Sequence, residues 1–180
     1  MRPVPALYDA WAGLLEYPGT SDARSLERNA DVVLAAFPEA FEDLQPLLGA
    51  LRGGDVGELE EIFTRTFDNS PERALELGWH LHGESYARGA FLVRMRQWMR
   101  SCDLPETVDL PDHVSNILRV VARLPPKTAD TLARSVALPA LAKVEEGFGA
   151  ETNPYRGVVK SLAGFLERCH AAREEATPRA

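Results

Sequence analysis

The sequence predicts an all-α fold, built as one compact domain of about eight to ten helices with short connections. Apolar residues recur every three or four positions along most of the chain, as they do on the buried face of an amphipathic helix. No stretch alternates apolar with polar residues, so nothing in the sequence indicates a β-strand. Proline and glycine interrupt the helical pattern at short intervals, which predicts tight connections between neighbouring helices.

Three amphipathic helices are predicted at the start of the chain, each ending where proline or glycine breaks its pattern. Pro46 lies inside the third helix and predicts a kink or an early end, because proline cannot donate the helical hydrogen bond. The apolar stripes of these helices are Val4, Leu7, Tyr8, Trp11, Leu14 and Leu15; then Leu26, Ala30, Val33 and Phe37; then Phe41, Leu44, Leu47, Leu48 and Leu51.

A fourth helix is predicted to begin at Asp55, because Asp55 and Glu58 have the spacing of a capping box. Its apolar stripe extends to Phe67. The break Asn69-Ser70-Pro71 follows, and a proline after a serine is typical of the first helical residue behind its cap. We therefore expect a fifth helix that runs from this proline to about Leu81.

The next helix is predicted over Ser85–Arg100 and breaks two local rules. Arg88 falls in the middle of its apolar arc, where a guanidinium needs a partner or an open cleft. Glu84, one turn back, is the nearest candidate partner. Gly89 lies inside the helix, which suggests that another backbone or a ligand approaches closely there. The apolar arc itself consists of Phe91, Leu92, Met95, Trp98 and Met99.

An acidic connector with few helical signals follows, and we expect a hinge at residues 103–111 within a single domain that spans residues 1–180. A hinge between two groups of helices would allow two copies to exchange helices, so the sequence permits either a monomer or a domain-swapped dimer. Pro111 suits the first turn of the helix after this connector.

Three further helices are predicted after His113. The first closes at Pro125-Pro126, and the second runs from Thr128 to Glu146 with a kink expected at Pro139. Asn153-Pro154 begins the last one.

The composition is that of an ordinary globular protein, with 180 residues, 45% hydrophobic and 26% charged. A formal charge of −7 argues against a nucleic-acid binder and favours a basic partner.

No apolar run is long enough to span a bilayer and no signal peptide is recognisable, so we expect a cytoplasmic protein without membrane insertion. Cys102 and Cys169 form no CxxC pair, so neither a disulfide framework nor a structural zinc site is indicated.

The common catalytic signatures are missing from the sequence. It contains no phosphate-binding glycine loop and no GxSxG. An enzyme is still one hypothesis: a metal- or nucleotide-dependent hydrolase in which His82 and His113 meet Glu84 and Asp112. A permanent structural adaptor is another.

A group of arginines lies off the apolar arc of the Ser85–Arg100 helix. Arg94, Arg96 and Arg100 are interpreted as a solvated edge or as a contact for an acidic partner or a nucleotide.

Several short motifs, taken in order, resemble the TorD/DmsD/NarJ family of molybdoenzyme assembly chaperones. They are Phe67-Asp68 at the end of an acidic helix, His82-Gly83-Glu84, Arg88-Gly89 at a fixed offset, and Leu110-Pro111-Asp112-His113. The early Leu14-Leu15-Glu16-Tyr17-Pro18 and the late Asn153-Pro154-Tyr155 are similar to the nitrate reductase delta-subunit (NarJ-type) branch.

The resemblance implies an all-helical cytoplasmic chaperone that is not an enzyme. Such a protein binds the N-terminal segment of a molybdoenzyme catalytic subunit and assists insertion of the molybdenum cofactor before membrane attachment or export. The cofactor belongs to the client, and the chaperone needs none of its own. Asp112 and His113 would help to form the peptide groove, with His82, Gly83, Arg88 and Gly89 on a companion segment. The full client-binding set is Phe67, Asp68, His82, Gly83, Glu84, Arg88, Gly89, Leu110, Pro111, Asp112 and His113.

Overall fold

The computed structural model describes residues 4–20, 23–53 and 56–171 of the chain. Throughout these residues the regular elements are helical, which confirms the predicted all-α class. The α-helices are α1 (Pro5–Leu14), α2 (Ala23–Ala36), α3 (Phe41–Gly53), α4 (Val56–Phe63), α5 (Leu77–His82), α6 (Tyr86–Ser101), α7 (Val114–Arg123), α8 (Pro126–Leu132), α9 (Leu138–Glu146) and α10 (Pro154–His170). Within the described ranges no helix has the length and apolarity needed to cross a membrane.

Two π-helical turns extend these helices. The first, Thr64–Asp68, continues α4, and the second, Ala133–Ala137, joins α8 to α9. The second lies just before Pro139, so the irregularity predicted by this proline takes the form of a π turn. The early end predicted at Pro46 is wrong, since α3 continues past it to Gly53. The cap predicted at Asp55 lies outside the described residues.

The helix predicted from Pro71 to Leu81 is wrong in its first part. A single 3-10 turn covers Pro71–Arg73, and α5 begins only at Leu77. The residues between them are not helical because they pair with the segment that precedes α7, through an isolated antiparallel bridge between Glu76 and His113. The same pairing delays the start of α7, so Pro111 lies in a turn ahead of the helix and not in its first turn.

The core is assembled around α1 and α10. Helix α1 packs against α2 and α7, and α10 packs against α3 and α9. Trp11 on α1 and Phe165 on α10 are buried with their ring centroids 5.8 Å apart, and Phe37 packs edge-on against both rings. Val4 and Phe41 were predicted to belong to the buried stripes but have exposed fractions of 66% and 51%. Val4 is the N-cap of α1 and Phe41 is the first residue of α3, so both lie at the edge of the helical packing.

A buried histidine fastens the end of α10. The ring of His170 is within hydrogen-bonding distance of the Tyr8 hydroxyl at Nε2 (2.9 Å) and of Asp130 Oδ1 at Nδ1 (2.7 Å). These contacts join α10 to α1 and α8 through one side chain that is 2% exposed. Burial of this ring is tolerable because both of its nitrogens have a partner.

The connector between α6 and α7 corresponds to the predicted hinge at residues 103–111. Asp103 has a positive φ of 54°, and the backbone then runs without regular structure to Leu110. Asn116 on α7 holds this connector, since its Nδ2 donates to the Leu110 carbonyl at 3.0 Å and to Thr107 Oγ1 at 3.1 Å. Hinge motion and helix exchange across it stay predictions.

Gly157 sets how closely α10 can approach α3. A Cβ atom at this position would overlap the backbone carbonyl of Asp43, so Gly157→Ala must push the two helices apart. We expect it to lower the free energy of unfolding by about 2 kcal/mol, measured by chemical denaturation. Gly164→Ala, on the same helix but with nothing within 4 Å of the new methyl group, should be neutral or stabilising. Equal effects of the two substitutions would contradict this account of how closely α3 and α10 pack.

Candidate functional site

The candidate site is built on two short segments, residues 75–77 and 112–114, that pair antiparallel through the bridge between Glu76 and His113, and we call this pairing the crossing. The Leu77 amide donates to the Asp112 carbonyl at 2.8 Å, and the Val114 amide donates to the Leu75 carbonyl at 2.8 Å. Successive side chains of an extended segment point to opposite sides. The crossing therefore directs Asp112 to one side of the backbone and His113 to the other, and each meets a different set of neighbours.

Asp112 is fully buried and pairs with Arg88 of α6. Arg88 Nε donates to Asp112 Oδ2 at 2.9 Å, and the Arg88 guanidinium lies 5.6 Å from the ring centroid of Trp79. The partner expected for Arg88 was Glu84, and that prediction is wrong. Glu84 precedes Ser85, the N-cap of α6, so it is not on the helix and the one-turn spacing does not apply.

The glycine that allows close approach at this site is Gly78, not Gly89. A Cβ atom on Gly78 would lie 2.6 Å from Asp112 Oδ2 and 2.9 Å from Phe91, whereas one on Gly89 would meet nothing within 4 Å. The expectation that another part of this chain approaches Gly89 closely is therefore wrong for the described residues, and approach by a ligand stays a prediction. Gly83 has a different role, because its φ of +57° lets the chain turn between α5 and α6.

His113 caps the start of α7 with its ring. The Ser115 amide donates to His113 Nδ1 at 3.3 Å, and the Ser115 hydroxyl lies 2.8 Å from the same nitrogen. Burial lowers the pKa of His113, and the nearby carboxylates of Asp109, Glu76, Glu16 and Asp112 oppose this shift without reversing it. The lowered pKa favours the neutral imidazole, in which a ring nitrogen can accept the amide hydrogen bond.

A cleft of about 420 Å³ opens on the His113 side of the crossing. It brings together three of the predicted residues, Phe67, Asp68 and His113, and adds two carboxylates, Glu76 and Asp109. The remaining wall is Tyr17, Phe63, Pro71, Ala74 and Leu75.

The base of this cleft is aromatic. The Phe63 and Phe67 rings lie 4.9 Å apart, and the buried Tyr155 ring packs edge-on against both at 5.5 and 5.2 Å. Tyr17 packs on Phe63 and is 39% exposed at the mouth. The cleft therefore combines an apolar base with acidic groups at its edge.

The other predicted site residues do not line this cleft. Arg88 and Asp112 pair on the opposite side of the crossing. Pro111 is buried and does not line the cleft. The His82 ring lies 6.0 Å from the Phe91 ring. The others, Gly83, Glu84, Gly89 and Leu110, are likewise absent from the cleft walls. Sequence reasoning missed Glu76 and Asp109 as site residues. Glu76 reaches the cleft from the crossing and Asp109 from the connector before α7, and neither carries a motif of its own.

The geometry gives no support to a metal-dependent hydrolase. Within residues 4–20, 23–53 and 56–171, no group of three or more His, Cys, Asp or Glu side chains could hold a metal ion. His82 and His113 do not share such a group with Glu84 and Asp112, as that hypothesis requires.

Comparison with known protein families decides what kind of protein this is. Residues 33–160, more than half of the chain, match the family described as "Nitrate reductase delta subunit". The chain belongs to this family. The delta-subunit family consists of NarJ/TorD-type chaperones for nitrate reductase maturation, so the resemblance seen in the sequence is confirmed. The comparison with curated proteins finds no match.

Removing Arg88 should destabilise the protein, because it leaves the buried Asp112 carboxylate without its counter-charge. We expect Arg88→Met to lower the free energy of unfolding by about 3 kcal/mol. In an Asp112→Asn background the same change should cost about 1 kcal/mol or less, because no buried charge is left unpaired. Chemical denaturation of the four proteins measures this. Arg96→Met, at an exposed position on the same helix, is the control and should change the free energy of unfolding little. Additive effects of Arg88→Met and Asp112→Asn would contradict the pairing.

His113 should make stability fall in acid. Its pKa is lowered in the folded state from the usual 6.5, so below about pH 6.5 the unfolded chain binds a proton that the folded chain does not. The free energy of unfolding should therefore decrease as the pH falls below that value, by up to about 1.4 kcal/mol per pH unit. His113→Asn, which keeps a capping side chain, should remove this part of the dependence.

The measurement is chemical denaturation at a series of pH values. Arg96→Met, the exposed control described above, should keep the pH dependence of the unsubstituted protein. An unchanged profile in His113→Asn would show that the buried ring does not titrate as described.

Proposed function

We propose that this protein is a cytoplasmic chaperone that binds the N-terminal segment of a molybdoenzyme catalytic subunit, a nitrate reductase or a close relative. Binding would precede insertion of the molybdenum cofactor, which belongs to the client, and would end before membrane attachment or export. The observation that carries the proposal is the acid-edged aromatic cleft beside His113. Family membership supports the client class.

The chemistry of the cleft suits a basic amphipathic peptide. Apolar client side chains would contact the aromatic base at Phe67 and Tyr17, and cationic ones would face the carboxylates of Asp68, Glu76 and Asp109. The net charge of −7 would also attract a cationic peptide from a distance.

The size of the cleft limits what it can hold. At about 420 Å³ it lies near the lower end of ligand pockets, so it would take only a few side chains of a longer peptide. Val108 and Leu110, on either side of Asp109, have exposed fractions of 96% and 44% and would extend the apolar contact beyond the cleft. The connector that carries them would then adjust to the client.

Asp112 and His113 act differently in this proposal. Asp112 is fully buried and would keep the crossing in shape through Arg88, without touching the peptide. His113 lines the cleft but is only 6% exposed, so its main role would be to fix the start of α7. Loss of client binding on substituting Asp112 would therefore have to be separated from loss of folding.

The chaperone would act by mass action. A client segment held in the cleft stabilises the assembly-competent complex, and folding of the completed client withdraws the segment. No catalytic step of the chaperone is needed, in keeping with the assembly-factor family.

Neutralising the cleft carboxylates should weaken client binding. We expect the triple variant Asp68→Asn, Glu76→Gln and Asp109→Asn to bind a synthetic N-terminal peptide of the cognate catalytic subunit about tenfold more weakly, with a smaller dependence on salt. Isothermal titration calorimetry at two salt concentrations measures both. This design avoids Phe67, which is 3% exposed and whose truncation would disturb the core.

The control is a second triple variant with the same change in net charge. Asp31→Asn, Glu42→Gln and Glu146→Gln remove exposed carboxylates on α2, α3 and α9, none of which lines the cleft. It should keep nearly the full affinity. Equal losses in both triples would mean that net charge alone attracts the peptide, and no loss in the first would remove the cleft from client binding.

A further inference from the structure

The outer face of α6, formed by Tyr86, Gly89, Ala90, Val93, Arg96 and Arg100, differs in charge from the rest of the protein. The helix carries four arginines and no acidic residue, in a chain with a net charge of −7. Arg88 forms an ion pair with the buried Asp112. Arg94, Arg96 and Arg100 are exposed, and the cleft beside His113 makes no use of them.

The same outer face carries an apolar patch at its N-terminal half. Tyr86 and Val93 have exposed fractions of 93% and 55%, although Met95 and Met99 on the opposite face are buried in the core. Gly89 and Ala90 lie between them, and both are exposed. Because a Cβ atom on Gly89 would meet nothing within 4 Å, the helix surface is open there. Two small residues between two large ones allow another helix to approach closely.

The arginines at the C-terminal half are weakly engaged within the chain. Arg100 pairs with Glu106 at 3.1 Å, but the two side chains are 71% and 63% exposed, so this pair contributes little. The Arg94 guanidinium lies 5.6 Å from the Trp98 ring and has no carboxylate partner among the described residues. Arg96 likewise has no ion pair within the described ranges. The outer face thus places Arg96, which has no ion pair among the described residues, and the weakly paired Arg100 next to an apolar patch.

We propose that the outer face of α6 docks an acidic amphipathic helix of a partner protein. The apolar side of that helix would cover Tyr86, Gly89, Ala90 and Val93, and its carboxylates would pair with Arg96 and Arg100. Charge complementarity decides the occupant. Two copies of this chain joined through α6 would bring arginine against arginine, and a nucleic acid would be repelled by the −7 chain around a small basic face.

This docking face is separate from the client cleft. No residue that lines the cleft belongs to α6, and the cleft favours a basic ligand whereas the α6 face favours an acidic one. The inference therefore does not rest on the proposed function.

Site-specific crosslinking in the cell tests the proposal. The photoreactive residue p-benzoylphenylalanine replaces Val93 in the full chain, expressed in its native host under conditions that induce nitrate reductase. A second protein carries it in place of Phe41, which is 51% exposed on α3 and serves as the control. Mass spectrometry then identifies the crosslinked segment. We expect an adduct at position 93, and not at 41, to an acidic segment with helical apolar spacing.

Charge reversal shows whether the arginines recognise that segment. Arg96→Glu with Arg100→Glu should lower the adduct yield at position 93 by about tenfold or more. Arg52→Glu with Arg156→Glu makes the same change in net charge at exposed positions on α3 and α10 and should leave the yield unchanged. Circular dichroism of the two photoreactive proteins and the two charge-reversal variants checks that all four keep their helical content.

The other outcomes overturn the proposal. These are no adduct above the control, an adduct to a second copy of this chain, to lipid or to nucleic acid, an adduct to a segment without acidic residues, and a yield that charge reversal does not change.

Discussion

The crossing of two short non-helical segments determines the arrangement of the candidate site. Only two backbone hydrogen bonds are involved, from Leu77 to Asp112 and from Val114 to Leu75, yet they fix where α5 and α7 begin. Because side chains alternate along an extended backbone, the crossing also sends Asp112 and His113 to opposite sides. A helix over the same residues would have placed them on adjacent faces and could not have separated a buried ion pair from an open cleft.

The two sides of the crossing follow different physical rules. On the Arg88 side a charge is buried, and one carboxylate oxygen, Asp112 Oδ1, has no hydrogen-bond partner within the described residues. Such a pair contributes little net stability but penalises any arrangement that separates Arg88 from Asp112. On the His113 side the carboxylates are partly or fully exposed and their charge is available to a ligand. The Asp112 charge is thus buried and paired with Arg88, whereas the charges of Asp68, Glu76 and Asp109 are accessible at the cleft.

Local signals in the sequence were sufficient for most of the fold. Ser85 and Asn153 were predictable as helix starts because a capping side chain bonds to its own helix, and both caps are present. The apolar arc of α6 was predictable for the same reason, since periodicity is a property of one segment. The family motifs also directed attention to Arg88 and Asp112, which form a buried ion pair, and to His113, which lies on the opposite side of the crossing.

Contacts between distant segments were not predictable. The pairing of Glu76 with His113 leaves no periodic trace, and the strong local signal at Pro71 favoured a helix that tertiary pairing overrides. Arg88 was seen to need a partner, but its partner is 24 residues away and a one-turn rule cannot find it. Gly78 and Gly89 look alike in sequence, since both interrupt a helical pattern. Only the packing shows that Asp112 and Phe91 approach the first and nothing approaches the second.

The close packing of Gly78, Arg88 and Asp112 has a consequence for how this sequence can vary during evolution. A side chain at position 78 needs a shorter residue at 112, and an uncharged residue at 112 removes the reason for an arginine at 88. Single changes at these positions pass through a poorly packed or unpaired intermediate, whereas compensated combinations do not. The residues at positions 78, 88 and 112 should therefore covary. A relative that differs from this sequence at one of these positions should also differ at the other two.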